Sequence, residues 1–172
     1  SVKNSTLIMT VRRLVRIVYL KRKKYYLITP CVTINEVDYG YSLPITKIDA
    51  DLSYEVLFDA IAGVMDKDCR LPDSAETGWI DYARSPAPLF DKRQFKKEFG
   101  YHYGSLVKTA TSIIMMEHLP DDSYMFEMWS TDGMSKEIMG CPSGSSREKI
   151  VETFAEALKK SEANRAARPK YY

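Results

Sequence analysis

The chain has 172 residues, 45% of them hydrophobic and 28% charged, with a formal net charge of +2. That length fits one domain with its own core, and the composition excludes a disordered or fibrous protein. The stretch LIMTVRRLVRIVYL is interrupted by Arg12, Arg13 and Arg16, so neither a membrane span nor a signal-peptide core is predicted.

The small net charge conceals a segregation. Residues 1–35 hold eight Lys/Arg and no acid, residues 36–91 hold twelve acids and four bases, and residues 92–172 hold thirteen bases and eleven acids. Charge of one sign gathered on a surface steers partners of the other sign, which argues for recognition more than catalysis. Cys31, Cys69 and Cys141 are odd in number and far apart. That spacing suits neither zinc nor a disulfide framework and predicts reduced thiols in a cytoplasmic protein.

Strand formers dominate TVRRLVRIVYL and KYYLITPCVTI, which predicts a hairpin turning at Lys21–Lys24, with Pro30 marking an edge or a bend. A third strand, Tyr41–Ile48, follows the Asp38-Tyr39-Gly40 turn. The period then changes. Tyr54, Leu57, Phe58, Ile61 and Val64 or Met65 fall on one helical face, with Asp51 or Ser53 as N-cap and Gly63 weakening the last turn. The polar, turn-rich middle, from Asp66 to Ser85, is anchored by Trp79 and Ile80, and a short helix is expected within Leu89–Phe99.

The second half repeats the plan. SLVKTA, TSIIMMEH and SYMFEMWS read as strands, the last two joined by the Leu119-Pro120-Asp121-Asp122 turn. In SYMFEMWS, Tyr124, Phe126 and Met128 share one face, and Met125, Glu127 and Trp129 the other. MSKEIM is a further strand. A capping box of Ser145 and Glu148 opens the last helix, whose apolar face is Ile150, Val151, Phe154, Ala157 and Leu158. Residues 162–172 are predicted to fray. The order implies a single α+β domain over 1–172, built of similar halves at about 8–66 and 104–161. Antiparallel sheets would be covered by two main amphipathic helices.

Catalytic constellations are thin. His102 lies between two tyrosines and His118 closes an apolar strand, which is a poor setting for a general acid/base pair. Asp66, Asp68, Asp73, Glu76 and Asp81 lack the calcium-loop spacing, so no metal and no cofactor is expected. Two recognition surfaces remain. Arg12, Arg13, Arg16, Lys21, Arg22, Lys23, Lys24, Tyr25 and Tyr26 combine cations with rings, as a single-stranded nucleic-acid groove does, although a wet hairpin turn has the same composition. Glu36, Asp38, Tyr39, Asp66, Asp68, Asp73, Glu76, Trp79, Asp81 and Tyr82 combine carboxylates with aromatics, which suits a cationic partner such as a nuclease. The acidic surface is the favoured one, and nucleic acid is the second reading.

KYYLITP, PITKIDADLSYEVLFDAIA and GCPSGSSREKIVETFAEAL form two strand–loop–helix units, the second ending in Ala157-Leu158-Lys159-Lys160-Ser161. Over about residues 14–162 this pattern resembles the immunity proteins of bacterial contact-dependent growth inhibition systems. The resemblance implies a cytoplasmic, non-enzymatic protein that binds a cognate toxin C-terminal domain, often a nuclease, one to one. It also implies a shape similar to the Whirly fold, with two four-stranded antiparallel sheets and helices. No interface residue follows from it.

Overall fold

A computed structural model describes residues 10–72, 91–130 and 136–167, together with the backbone of 79–80. The fold is α+β and antiparallel. β1 (Arg13–Leu20) and β2 (Tyr25–Thr33) form the predicted hairpin around a 3-10 turn at Lys21–Lys23, and Lys24 closes it in the left-handed region at φ 58°. β3 (Tyr39–Ser42), β4 (Thr46–Asp49) and α1 (Tyr54–Asp68) follow, then β5 (Trp79–Ile80) and α2 (Lys92–Phe99). α3 (Leu106–Thr109), β6 (Ser112–His118), β7 (Tyr124–Trp129), β8 (Lys136–Cys141) and α4 (Arg147–Ala167) complete it.

The strands run β5-β3-β2-β1-β6-β7-β8, with β4 also on β2. The two halves therefore meet at the antiparallel β1–β6 pair and share one sheet instead of forming one each. β1-β2-β4-α1 and β6-β7-β8-α4 are arranged alike on either side of that seam, with α1 and α4 on the same face.

Side-chain alternation explains the two cores. Val15, Ile17, Ile28, Ile114, Met116, Phe126 and Met128 face α1 and α4, where Phe58, Ile61, Phe154 and Leu158 are buried. Leu14, Val18, Leu27, Cys31, Ile113 and Trp129 face the other way, against Tyr41, Phe95, Phe99 and Leu106. β1 and β2 are covered on both faces, which is why their sequences show no clean polar–apolar alternation. Ser161 locks α4 to β6: its Oγ accepts from the Ile113 N–H at 3.0 Å and donates to the Ile113 carbonyl at 3.1 Å.

Several expectations are corrected. The third strand is split, because β4 pairs with Tyr25–Ile28 of β2 and β3 with Cys31–Thr33. Pro30 falls where β2 changes partner, so it marks a junction inside the sheet and not an edge. SLVKTA is helical in its centre: Leu106 and Ala110, both buried, are four apart, which is helix spacing. The α4 cap moves by one residue, since Ser146 Oγ accepts from Lys149 N at 3.1 Å while Ser145 Oγ donates to the Pro142 carbonyl. The helix also runs on to Ala167, so the expected fraying at 162 does not occur before that point; residues 168–172 lie outside the described set. Ser53, not Asp51, caps α1, accepting from Val56 N at 3.3 Å.

Candidate functional site

Antiparallel pairing gives the sheet two ends of different charge. At one end lie the start of β1, the end of β2, the β6–β7 turn and the C-terminal turn of α1. Arg12 anchors this end through a two-pronged pair with Glu117, from Nε to Oε2 at 2.8 Å and from Nη2 to Oε1 at 3.0 Å. Glu117 raises the guanidinium pKa further by accepting these bonds. Arg12 also donates from Nη1 to the Val37 carbonyl at 3.4 Å and lies 5.4 Å from the Tyr39 ring centre.

Arg13 bridges the other half of this end. It donates to Asp66 Oδ1 at 2.5 Å and contacts His118 Nδ1 at 2.5 Å. Arginine only donates, so Nδ1 is the acceptor and the proton sits on Nε2, which donates to Asp122 Oδ1 at 2.7 Å. The His118 ring stacks on Tyr124 with centres 4.2 Å apart. Held this way, both ring nitrogens of His118 are engaged, one by Arg13 and one by Asp122.

The β2–β3 turn is tied together by the side chain of Asn35. Asn35 Oδ1 accepts from Val37 N at 2.8 Å and Asp38 N at 2.7 Å, and Asn35 Nδ2 donates to Asp38 Oδ2 at 2.8 Å. Val37 is thereby held 78% exposed between two carboxylates. In the β6–β7 turn, the Ser123 hydroxyl and N–H donate to Asp121 and hold its carboxyl below the ordinary range.

Of the acidic residues singled out in the sequence, Glu36 and Asp38 are exposed on this turn, and Tyr39 is half-buried, edge-on to Tyr41 at 5.9 Å. Asp66 is exposed and paired with Arg13. Asp68 is a correction: it is buried at the end of α1 and presents no carboxylate to a partner. Asp73, Glu76, Asp81 and Tyr82, and the side chain of Trp79, lie outside the described residues. Glu117 joins this end through its pair with Arg12, and Asp121 and Asp122 join it through the β6–β7 turn, where the sequence signals turn chemistry alone.

The expected nucleic-acid surface is dispersed by the fold. Arg12 and Arg13 sit at the opposite end of β1 from Lys21, roughly 25 Å away at about 3.3 Å per residue. Arg16 is only 1% exposed, its guanidinium 4.6 Å from the Tyr41 ring centre. Tyr25 and Tyr26 are buried on opposite faces, Tyr25 donating its hydroxyl to the Phe99 carbonyl and Tyr26 stacking on Tyr19 at 4.5 Å. Lys21, Arg22, Lys23 and Lys24 remain exposed at the turn, as expected.

Among the described residues no cluster of His, Cys, Asp or Glu has metal-binding geometry, and no helix is long and apolar enough to cross a membrane. All three cysteines are buried as free thiols, and burial pushes the Cys31 thiol pKa well up.

No family model matches the chain, and no curated protein matches it. Among solved structures, the protein of unknown function NMB0488 from Neisseria meningitidis is similar, with a TM-score of 0.56 at 11% identity, covering 86% of this chain and 93% of that one. At that identity the likeness is one of fold.

Proposed function

We propose that this protein is a cytoplasmic immunity protein that binds one to one, and without catalysis, a cognate toxin domain of a contact-dependent growth inhibition system. The toxin would be a nuclease, blocked at its cationic active site or its substrate approach. One observation carries the reading: Glu36, Asp38, Asp66, Asp121 and Asp122, from three separate chain segments, share one end of the sheet with an exposed valine held in a hydrogen-bonded turn. Carboxylates that are fixed before binding steer a basic partner and limit the ordering cost of association.

The test is co-expression with the C-terminal domain encoded immediately upstream, followed by co-purification and a survival assay. A stable complex that rescues the cells supports the reading, and a toxin domain that is never retained sinks it. In the complex, the pair Glu36→Lys and Asp122→Lys should slow association at least about tenfold at low salt, with a smaller effect at high salt. An unchanged association rate would move the interface elsewhere.

A further inference from the structure

The opposite end of the sheet holds a groove of about 600 Å³. One wall is the hairpin turn from Leu20 to Lys23; the floor is Lys108 to Thr111 with Tyr101; the far wall is the last part of α4. The hairpin and the floor are brought together by the β1–β6 pairing, with Thr111 N donating to the Tyr19 carbonyl at 2.9 Å and Lys21 N to Thr111 Oγ1 at 3.1 Å. We propose that this groove binds nucleotide phosphates, from a free nucleotide or from a nucleic-acid strand, against Lys21, Arg22, Lys23 and Lys108, with the base or sugar beside Tyr101. It stands independently of the immunity reading, which concerns the other end of the sheet.

The charge argument comes first. Arg22, Lys23 and Lys108 are exposed and reach the groove from segments far apart in sequence. Among the described residues of the lining Glu162 is the single acid, and it holds Lys21 in an exposed pair at 3.3 Å. Such surface pairs are weak, so an incoming anion displaces Glu162 from Lys21 at little cost. Arg165 also lines the groove, but its guanidinium turns inward to backbone carbonyls and builds the wall.

Phosphate fits this set better than a carboxylate. Cations arriving from two directions are matched by a compact group with several acceptor oxygens and more than one charge. The Thr111 hydroxyl, which accepts from Lys21 N, keeps its own proton to donate. The volume suits a nucleotide, and half-buried Tyr101 supplies a ring in the lining, its hydroxyl fixed by Thr109. Tyr25 and Tyr26 of the hairpin are unavailable for this purpose because both are buried.

The experiment is fluorescence anisotropy on the full chain at 50–200 mM salt, with a labelled nucleoside triphosphate and a labelled single strand of about 12 nucleotides as probes. Binding of either probe is expected. The double variant Arg22→Glu with Lys108→Glu should weaken it at least about tenfold, while Lys97→Glu, on α2 outside the groove, leaves it unchanged. Glu162→Gln should tighten it about two- to threefold by releasing Lys21. These side chains are exposed, and a melting curve for each variant verifies that the fold is kept.

A strand that contacts about three phosphates should show a log–log salt slope of about −2. Tight binding of the triphosphate with no advantage for the strand identifies a free nucleotide as the ligand. Tighter strand binding with that slope identifies a nucleic acid. Failure of both probes at 50 mM salt, indifference to the double variant, or equal displacement by an oligoglutamate peptide would overturn the proposal.

Discussion

Arg165 donates from Nε to the carbonyl oxygen of Ala110 at 2.8 Å, tying the last helix to a segment 55 residues earlier. Its Nη1 and Nη2 donate to the carbonyls of Ser130 at 3.1 Å and Val107 at 2.7 Å, and the residue is 2% exposed. A planar fork thus satisfies the end of α3 and the end of β7 at once. Arg165→Ala should cost about 3 kcal/mol, because two buried acceptors and one part-buried acceptor lose their donors. Arg165→Lys should recover only part of that, since an ammonium cannot span the same three directions. Urea unfolding measures both, and an unchanged midpoint for the alanine variant would contradict this role.

Gly63 lies inside α1 with open space where a side chain would project. An alanine there meets nothing and favours the helix, so Gly63→Ala should stabilise the protein by about 1 kcal/mol. The opposite sign is expected at Gly100, the left-handed C-cap of α2 at φ 67°, where Gly100→Ala should destabilise by about 1 kcal/mol. Thermal denaturation of the two variants against the parent chain tests the pair.

Alkaline pH should unfold the protein early. Burial raises Cys31 well above its ordinary 9.0 and Tyr41 well above its ordinary 10.0. Both groups stay neutral in the fold after they would ionise in the unfolded chain, so the unfolded state binds fewer protons there. Stability is then complete below about pH 9 and falls as pH rises, by about 1.4 kcal/mol per pH unit for each such group once its unfolded value is passed. Urea midpoints at pH 7, 9 and 10.5 measure this; a flat profile would mean that the buried thiol and phenol ionise freely.

At the acidic end, Asn35 fixes the turn without contributing charge. Asn35→Ala removes the acceptor for Val37 N and Asp38 N. Binding to a basic partner should weaken about fivefold through lost preorganisation, with association steering unchanged. Stopped-flow kinetics separates the two, because the charge-reversal variants alter the association rate and this one alters dissociation.

Local periodicity was informative wherever an element buries a single face. The spacing of Leu57, Phe58, Ile61 and Met65 places α1 on the sheet, and the alternation of Phe126 and Met128 with Trp129 assigns the two faces of β7. It misled at Arg16, Tyr25 and Tyr26, which read as a wet basic surface yet lie in strands covered on both sides. It was silent about Lys108 and Tyr101, which meet the hairpin turn only through the pairing of β1 with β6.

From sequence alone follow the α+β class, the hairpin around Lys21–Lys24, the two amphipathic helices and the separation of basic from acidic segments. These depend on neighbours within one element, through side-chain period, capping and turn chemistry. Tertiary structure decided which charges remain in water and which stand together. Cross-strand register carried Asp122 to Arg13 through His118, set Lys108 across from Arg22, and buried Arg16 against Tyr41. Such pairings join residues tens of positions apart, and no local pattern encodes them.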